Sequence, residues 1–127
     1  MSCKAIMVVE DDEDIRTQVI HALNSEGYEV LSAENGRRAL DLLLAMAPEK
    51  LPGCIILDLM MPEMDGKTFL DTIARDHPSL QSIKILVATA KGSPVNPAQV
   101  PQAVERLQKP FELEALYRAV EKHCGQP

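Results

Sequence analysis

The sequence has no tryptophan, and its two tyrosines and two phenylalanines bring the aromatic content to only 3% of 127 residues. A platform that stacks nucleic-acid bases needs more rings than this. Positive charge is also scarce. Thirteen Lys and Arg face nineteen Asp and Glu, giving a formal net charge of -6 and a pI near 5.0. Such a chain repels phosphate backbones and anionic bilayers, which excludes nucleic acid and membrane as general partners. No apolar stretch approaches the roughly 18 residues of a membrane span, and Met1 to Lys4 do not read as a signal peptide. Cysteine is sparse: Cys3, Cys54 and Cys124 are odd in number and widely spaced, so they give neither a disulfide framework nor a zinc pattern. The expectation is three free thiols in a reducing cytoplasm, with Cys54 a small buried hydrophobe. No glycine-rich loop ending in Lys-Ser/Thr is present, which removes support for a nucleoside triphosphatase.

What is present is ordinary globular material, 46% hydrophobic and 25% charged. Length and composition predict one domain over residues 1–127. Ala5–Val9 reads as a buried strand. It runs into Glu10-Asp11-Asp12-Glu13-Asp14, after which Ile15, Val19, Ala22 and Leu23 recur at helical spacing. An Asp near the start caps that helix and Gly27 ends it. Tyr28–Leu31 reads as a second strand. Asn35 or a neighbour opens a second helix with Ala39, Leu40, Leu43, Leu44 and Ala47 on one face. Cys54–Asp58 is the clearest strand, and Phe69, Leu70 and Ile73 mark a third helix ending near His77-Pro78. Ile83–Ala90 and Val104–Gln108 read as further strands. Prolines 94, 97 and 101 make a long regular helix between them improbable, so the fourth helix is expected to be short or irregular. A last helix starts near Glu112 with Leu113, Leu116, Tyr117 and Val120 inward. Apolar strands alternating with helices predict an α/β fold, a doubly wound five-stranded parallel sheet with helices on both faces.

In such a sheet the functional crevice lies at the carboxyl ends of the strands. Glu10 and Asp11 follow the first strand, Asp58 closes the third, Thr89 closes the fourth and Lys109 follows the fifth. Clustered carboxylates repel one another unless a cation joins them, and hard oxygen ligands with room for water suit Mg²⁺. Asp58 is then placed to act as a nucleophile on phosphorus, with Lys109 and Thr89 meeting the transferring group. Each residue alone has a plainer role: a solvated helix start for the acids, a turn for Asp58, strand propensity for Thr89. The four strand ends taken together, in order, do not.

Val9-Glu10-Asp11-Asp12, the run from Asp58 to Gly66 (Asp-Leu-Met-Met-Pro-Glu-Met-Asp-Gly), Thr89-Ala90 and Lys109-Pro110-Phe111 resemble the motifs of a response regulator receiver domain, of the CheY-like superfamily. The resemblance covers essentially the whole chain. It implies a flavodoxin-like fold and a phosphoacceptor switch of a two-component or phosphorelay system. Asp58 would be the acceptor. Glu10, Asp11, Asp58 and the backbone carbonyl of Met60 would hold Mg²⁺, and Thr89 and Lys109 would contact the phosphoryl group. Asp12 reads as a cap. The implied partners are a histidine kinase or phosphotransfer protein and an unknown downstream protein.

The chain departs from the pattern at Arg106, where receivers usually carry Tyr or Phe. A guanidinium is costly to bury without a partner. Arg106 is therefore expected at the surface, paired with Glu105 or an acid of the last helix, with residues 91–103 carrying the switch. The chain reads as a stand-alone receiver, not an enzyme beyond its own phosphorylation and dephosphorylation. Alternatives are a receiver excised from a hybrid kinase or larger regulator, a degenerate scaffold, and an aspartyl-phosphate phosphatase. The last would want an acid two residues after the nucleophile, where Met60 stands. His21, His77 and His123 are expected in surface or structural roles.

Overall fold

The computed structural model describes residues 3, 5–58, 66–80, 82–90, 103–109 and 112–127, with the backbone alone at 66, 67, 89, 90, 103, 104, 108 and 109. The order is β1 Ile6–Val9, α1 Glu13–Ser25, β2 Val30–Ala33, α2 Gly36–Ala45, β3 Cys54–Asp58, α3 Gly66–Asp76, β4 Lys84–Ala90, β5 Ala103–Lys109 and α4 Leu113–His123. Single 3₁₀ turns at Pro48–Lys50 and Pro78–Leu80 precede β3 and β4. The sheet is five-stranded in the order β2-β1-β3-β4-β5, and every pairing is parallel. This is the predicted fold. The expected irregular fourth helix falls within 91–102, outside the described residues.

The central strands are apolar through their middles because each of their faces meets a different layer of helices. Met7, Val9, Ile55 and Leu57 pack with Leu40, Leu43, Phe69 and Leu70 of α2 and α3. Their neighbours Ile6, Val8, Cys54 and Ile56 pack with Val19, Leu23, Leu116 and Val120 of α1 and α4. The two-residue side-chain period of a strand divides the core in this way.

The helix ends follow local chemistry. Asp12 caps α1, its Oδ1 accepting from the Ile15 amide at 3.0 Å. Asn35 caps α2, accepting from the Arg38 amide at 2.8 Å. Gly27, at φ +97°, takes the left-handed turn that leaves α1, a conformation costly for any residue with a Cβ.

Four expectations need correcting. β2 begins at Val30, not Tyr28, because the Tyr28 amide closes α1 onto the Leu23 carbonyl and its ring enters the α1–α4 core. Leu44 and Leu113 are exposed, at 51% and 48%, and the inner face of α4 is completed by Ala119. α2 stops at Ala45, so Ala47 lies beyond it. Finally, the cysteines are not all free: Cys3 and Cys124 form a disulfide across a sequence separation of 121. Spacing gave no sign of it, because the pairing is made by topology. β1 starts at the amino edge of the sheet, and α4, returning against the strands, ends at the same edge.

Candidate functional site

β1 and β3 are neighbours in register, Val9 lying opposite Leu57. Glu10, the residue after β1, and Asp58, the last residue of β3, therefore stand side by side. Glu10 is held there by its amide, which donates to the Ala33 carbonyl at 3.1 Å, and by Arg16 of α1, whose Nη1 donates to the Glu10 carbonyl at 2.8 Å. Glu10 and Asp58 are buried, at 4% and 6% exposure, and Asp11 is exposed at the mouth. One carboxylate oxygen from each of the three lies within 4.8 Å of the others.

Two full charges at that separation repel by about 3 kcal/mol at an effective dielectric of about 20. Three of them, two shielded from water, make a site that calls for a cation. Among the described residues the donor set is oxygen only, and its outermost member, Asp11, is exposed to solvent. Beneath the acids a cavity of about 10 Å³, lined by Val8, Ile15, Val19, Ile56 and Ala88, admits about one water at most. An oxygen-only, partly wet site fits Mg²⁺.

The remaining predicted residues are placed by backbone. Asp58 pairs with Ala88, so Thr89 is one step further along β4; Lys109 pairs with Ala90, one step beyond that. Both lie at the carboxyl edge that carries the acids. Their side chains, and all of Met60, are outside what is described. Asp12 stands apart from the cluster as a cap, as expected.

Arg106 is exposed. Val87 lies opposite it and Leu86 opposite Glu105, so the two β5 residues face different helix layers. Glu105 turns to α4, where its Oε1 meets His123 Nε2 at 2.9 Å and Lys122 Nζ at 4.0 Å. His123 thus takes a structural role, as expected, although its partner was legible only if β5 was known to lie under α4. Arg16 escaped the sequence reading, being legible only as a cation one turn into an acidic helix start.

A model of the response regulator receiver domain family matches residues 6–121. Among curated relatives, a probable transcriptional regulatory protein of Picosynechococcus is 38% identical over 91% of this chain and 47% of its own length. Sporulation initiation phosphotransferase F of Bacillus subtilis is 28% identical over 97% of this chain and 95% of its own. The chain thus spans about half of some relatives and nearly all of others. Among solved structures, a CheY-like receiver domain protein of Methanospirillum hungatei superposes with a TM-score of 0.83 at 32% identity, covering 95% of this chain and 94% of that one. Chemotaxis protein CheY4 of Vibrio cholerae does so with 0.82 at 30% identity, covering 97% and 98%. Receiver domains of this family bind Mg²⁺ at acidic residues, and the Glu10, Asp11 and Asp58 cluster has the chemistry for it. Sheet order, strand-end acids and family match together make this chain a receiver domain of the two-component response regulator family.

Proposed function

We propose that the chain, acting as a single receiver unit over residues 1–127, accepts a phosphoryl group on Asp58 from a phosphohistidine of a histidine kinase or phosphotransfer protein. The observation that carries this reading is the Glu10, Asp11 and Asp58 cluster at the carboxyl edge of a parallel sheet. A carboxylate oxygen of Asp58 attacks phosphorus, the P–N bond breaks, and the imidazole leaves with a proton. Slow attack of water on phosphorus later returns the carboxylate. Asp58 is the nucleophile because it is the central acid, set on β3 between β1 and β4.

Glu10, Asp11, Asp58 and the Met60 carbonyl are the residues that would hold Mg²⁺, which neutralises charge on the transferring group when bound. Lys109 offsets the remaining charge and Thr89 donates a hydrogen bond to a phosphoryl oxygen. The parallel register of β4 and β5, which sets both at the same edge as Asp58, supports these roles. The acid at the mouth, Asp11, orients the ion rather than reacting. Output is contact with a downstream protein, and residues 91–103, which begin two positions after Thr89, are proposed as the segment that responds.

The test is transfer of radiolabelled phosphate from a phosphorylated kinase or phosphotransfer protein to this chain, in Mg²⁺ and in EDTA. The parent should take up label in Mg²⁺ only, and Asp58→Asn should take up none. Full labelling of Asp58→Asn would refute the assignment.

A further inference from the structure

The edge of the sheet opposite the acids carries the cross-link between Cys3 and Cys124. Their Cα atoms are 5.0 Å apart, inside the range a disulfide needs. Both residues are half-buried at the margin of the core, not sealed within it. The surroundings are shaped to the bond. Gly53, just before β3, leaves open the space that Cys124 Sγ fills: a Cβ there would stand 2.8 Å from the sulfur. The tail beyond α4 is laid across the same edge, with the Cys3 amide donating to the Gln126 carbonyl at 2.7 Å. The Tyr28 hydroxyl donates to the Gly125 carbonyl at 2.8 Å.

We propose that Cys3 and Cys124 form a reversible thiol–disulfide site, open to small disulfides and thiols of the glutathione class, that clamps or releases the carboxyl end of α4. In closure, one cysteine thiolate attacks the S–S bond of glutathione disulfide and expels a glutathione thiolate. The second cysteine thiolate then attacks the mixed disulfide and expels the other. The protein dithiol loses two electrons, glutathione disulfide gains them, and the two protons end on two glutathione thiols.

Reversibility follows from position. Cys3 precedes β1 and Cys124 follows α4, so both cysteines lie outside the regular elements and opening the bond need not unfold any of them. The third thiol does not compete. Cys54 is fully buried and its thiol is pushed up to about 12 by burial, so it stays protonated at neutral pH. The clamp nevertheless closes nearly the whole chain into one loop, and long loops gain most from cross-linking.

The experiment equilibrates the full chain in buffers of graded glutathione to glutathione disulfide ratio. The reaction is stopped with iodoacetamide and the cysteines are mapped by peptide mass. Alkylation of Cys3 and Cys124 should fall together as the disulfide fraction rises, and recover when the ratio is reversed. The melting temperature of the oxidised form should be higher by on the order of 10 °C. Cys3→Ser should melt at the same temperature at every ratio. Gly53→Ala keeps both cysteines but denies the sulfur its space, and should need a ratio shifted by about tenfold or more to close the bond. The proposal is overturned if Cys3 and Cys124 are alkylated independently at every ratio. It is equally overturned if the bond survives the most reducing buffer, or if Cys3→Ser keeps the redox-dependent melting.

Discussion

The two edges of the sheet are built on opposite plans. At the carboxyl edge, Glu10, Asp11 and Asp58 crowd like charges within 4.8 Å. At the amino edge there is a covalent link, a run of backbone hydrogen bonds and a tyrosine hydroxyl satisfied by the Gly125 carbonyl. The same five strands supply both. A parallel sheet aligns all its strand starts on one side and all its ends on the other, so chemistry and anchorage are separated by the length of a strand. Repulsion at the functional edge is tolerated because the core and the opposite edge hold the strands in place.

That contrast makes unequal demands on stability. Severing the amino edge should have the largest effect. Under oxidising conditions Cys124→Ser should lower the unfolding free energy by roughly 4 kcal/mol, measured by urea denaturation. The second effect is also at this edge. Because burial raises the folded-state pKa of Cys54 from 9.0 to about 12, the folded chain binds a proton there that the unfolded chain has released. Its contribution is fully present below pH 9 and is lost as pH rises from 9 towards 12, by about 1.4 kcal/mol per unit. The stability advantage of the parent over Cys54→Ala should therefore shrink across this window. A constant difference from pH 8 to 11 would mean that burial does not hold the thiol protonated.

The smallest effect belongs to the carboxyl edge. Ten millimolar Mg²⁺ should stabilise the parent by about 1.4 kcal/mol if the dissociation constant is about 1 mM. That is a rise of a few degrees in melting temperature. Asp11→Ala should abolish most of this rise while melting higher than the parent in EDTA, because one repelling charge is gone. An unmoved parent melting temperature, with Asp11→Ala still melting higher, would leave the cluster as repulsion alone and erase the contrast between the edges.

The carboxyl edge was the more legible in the sequence. β1 and β3 are unbroken apolar runs whose last residues are followed or closed by acids, so Glu10, Asp11 and Asp58 announce themselves by position. The strand order then brings Thr89 and Lys109 to the same side. The amino edge was not legible, since the partner of Cys3 lies at the far end of the chain and only the return of α4 brings it near. β2 was misplaced by two residues because Tyr28 looks like a strand residue, although its ring serves the α1–α4 core. Leu44 and Leu113 were misassigned because helical spacing fixes a face but not its edges. Arg106 was expected at the surface and is there, whereas its neighbour Glu105 pairs with His123, a contact that depends on the packing of α4 over β5.

The central claim is that the acid closing β3 is the one that takes the phosphoryl group. Reductive trapping reads this directly. An acyl phosphate treated with tritiated borohydride is reduced to the alcohol, which turns a phosphorylated aspartate into labelled homoserine. After phosphorylation in Mg²⁺, reduction and digestion, the label should fall on homoserine at position 58 and nowhere else. Label at Glu10, Asp11 or any other acid, or acid-labile phosphate that borohydride does not convert, would contradict the account.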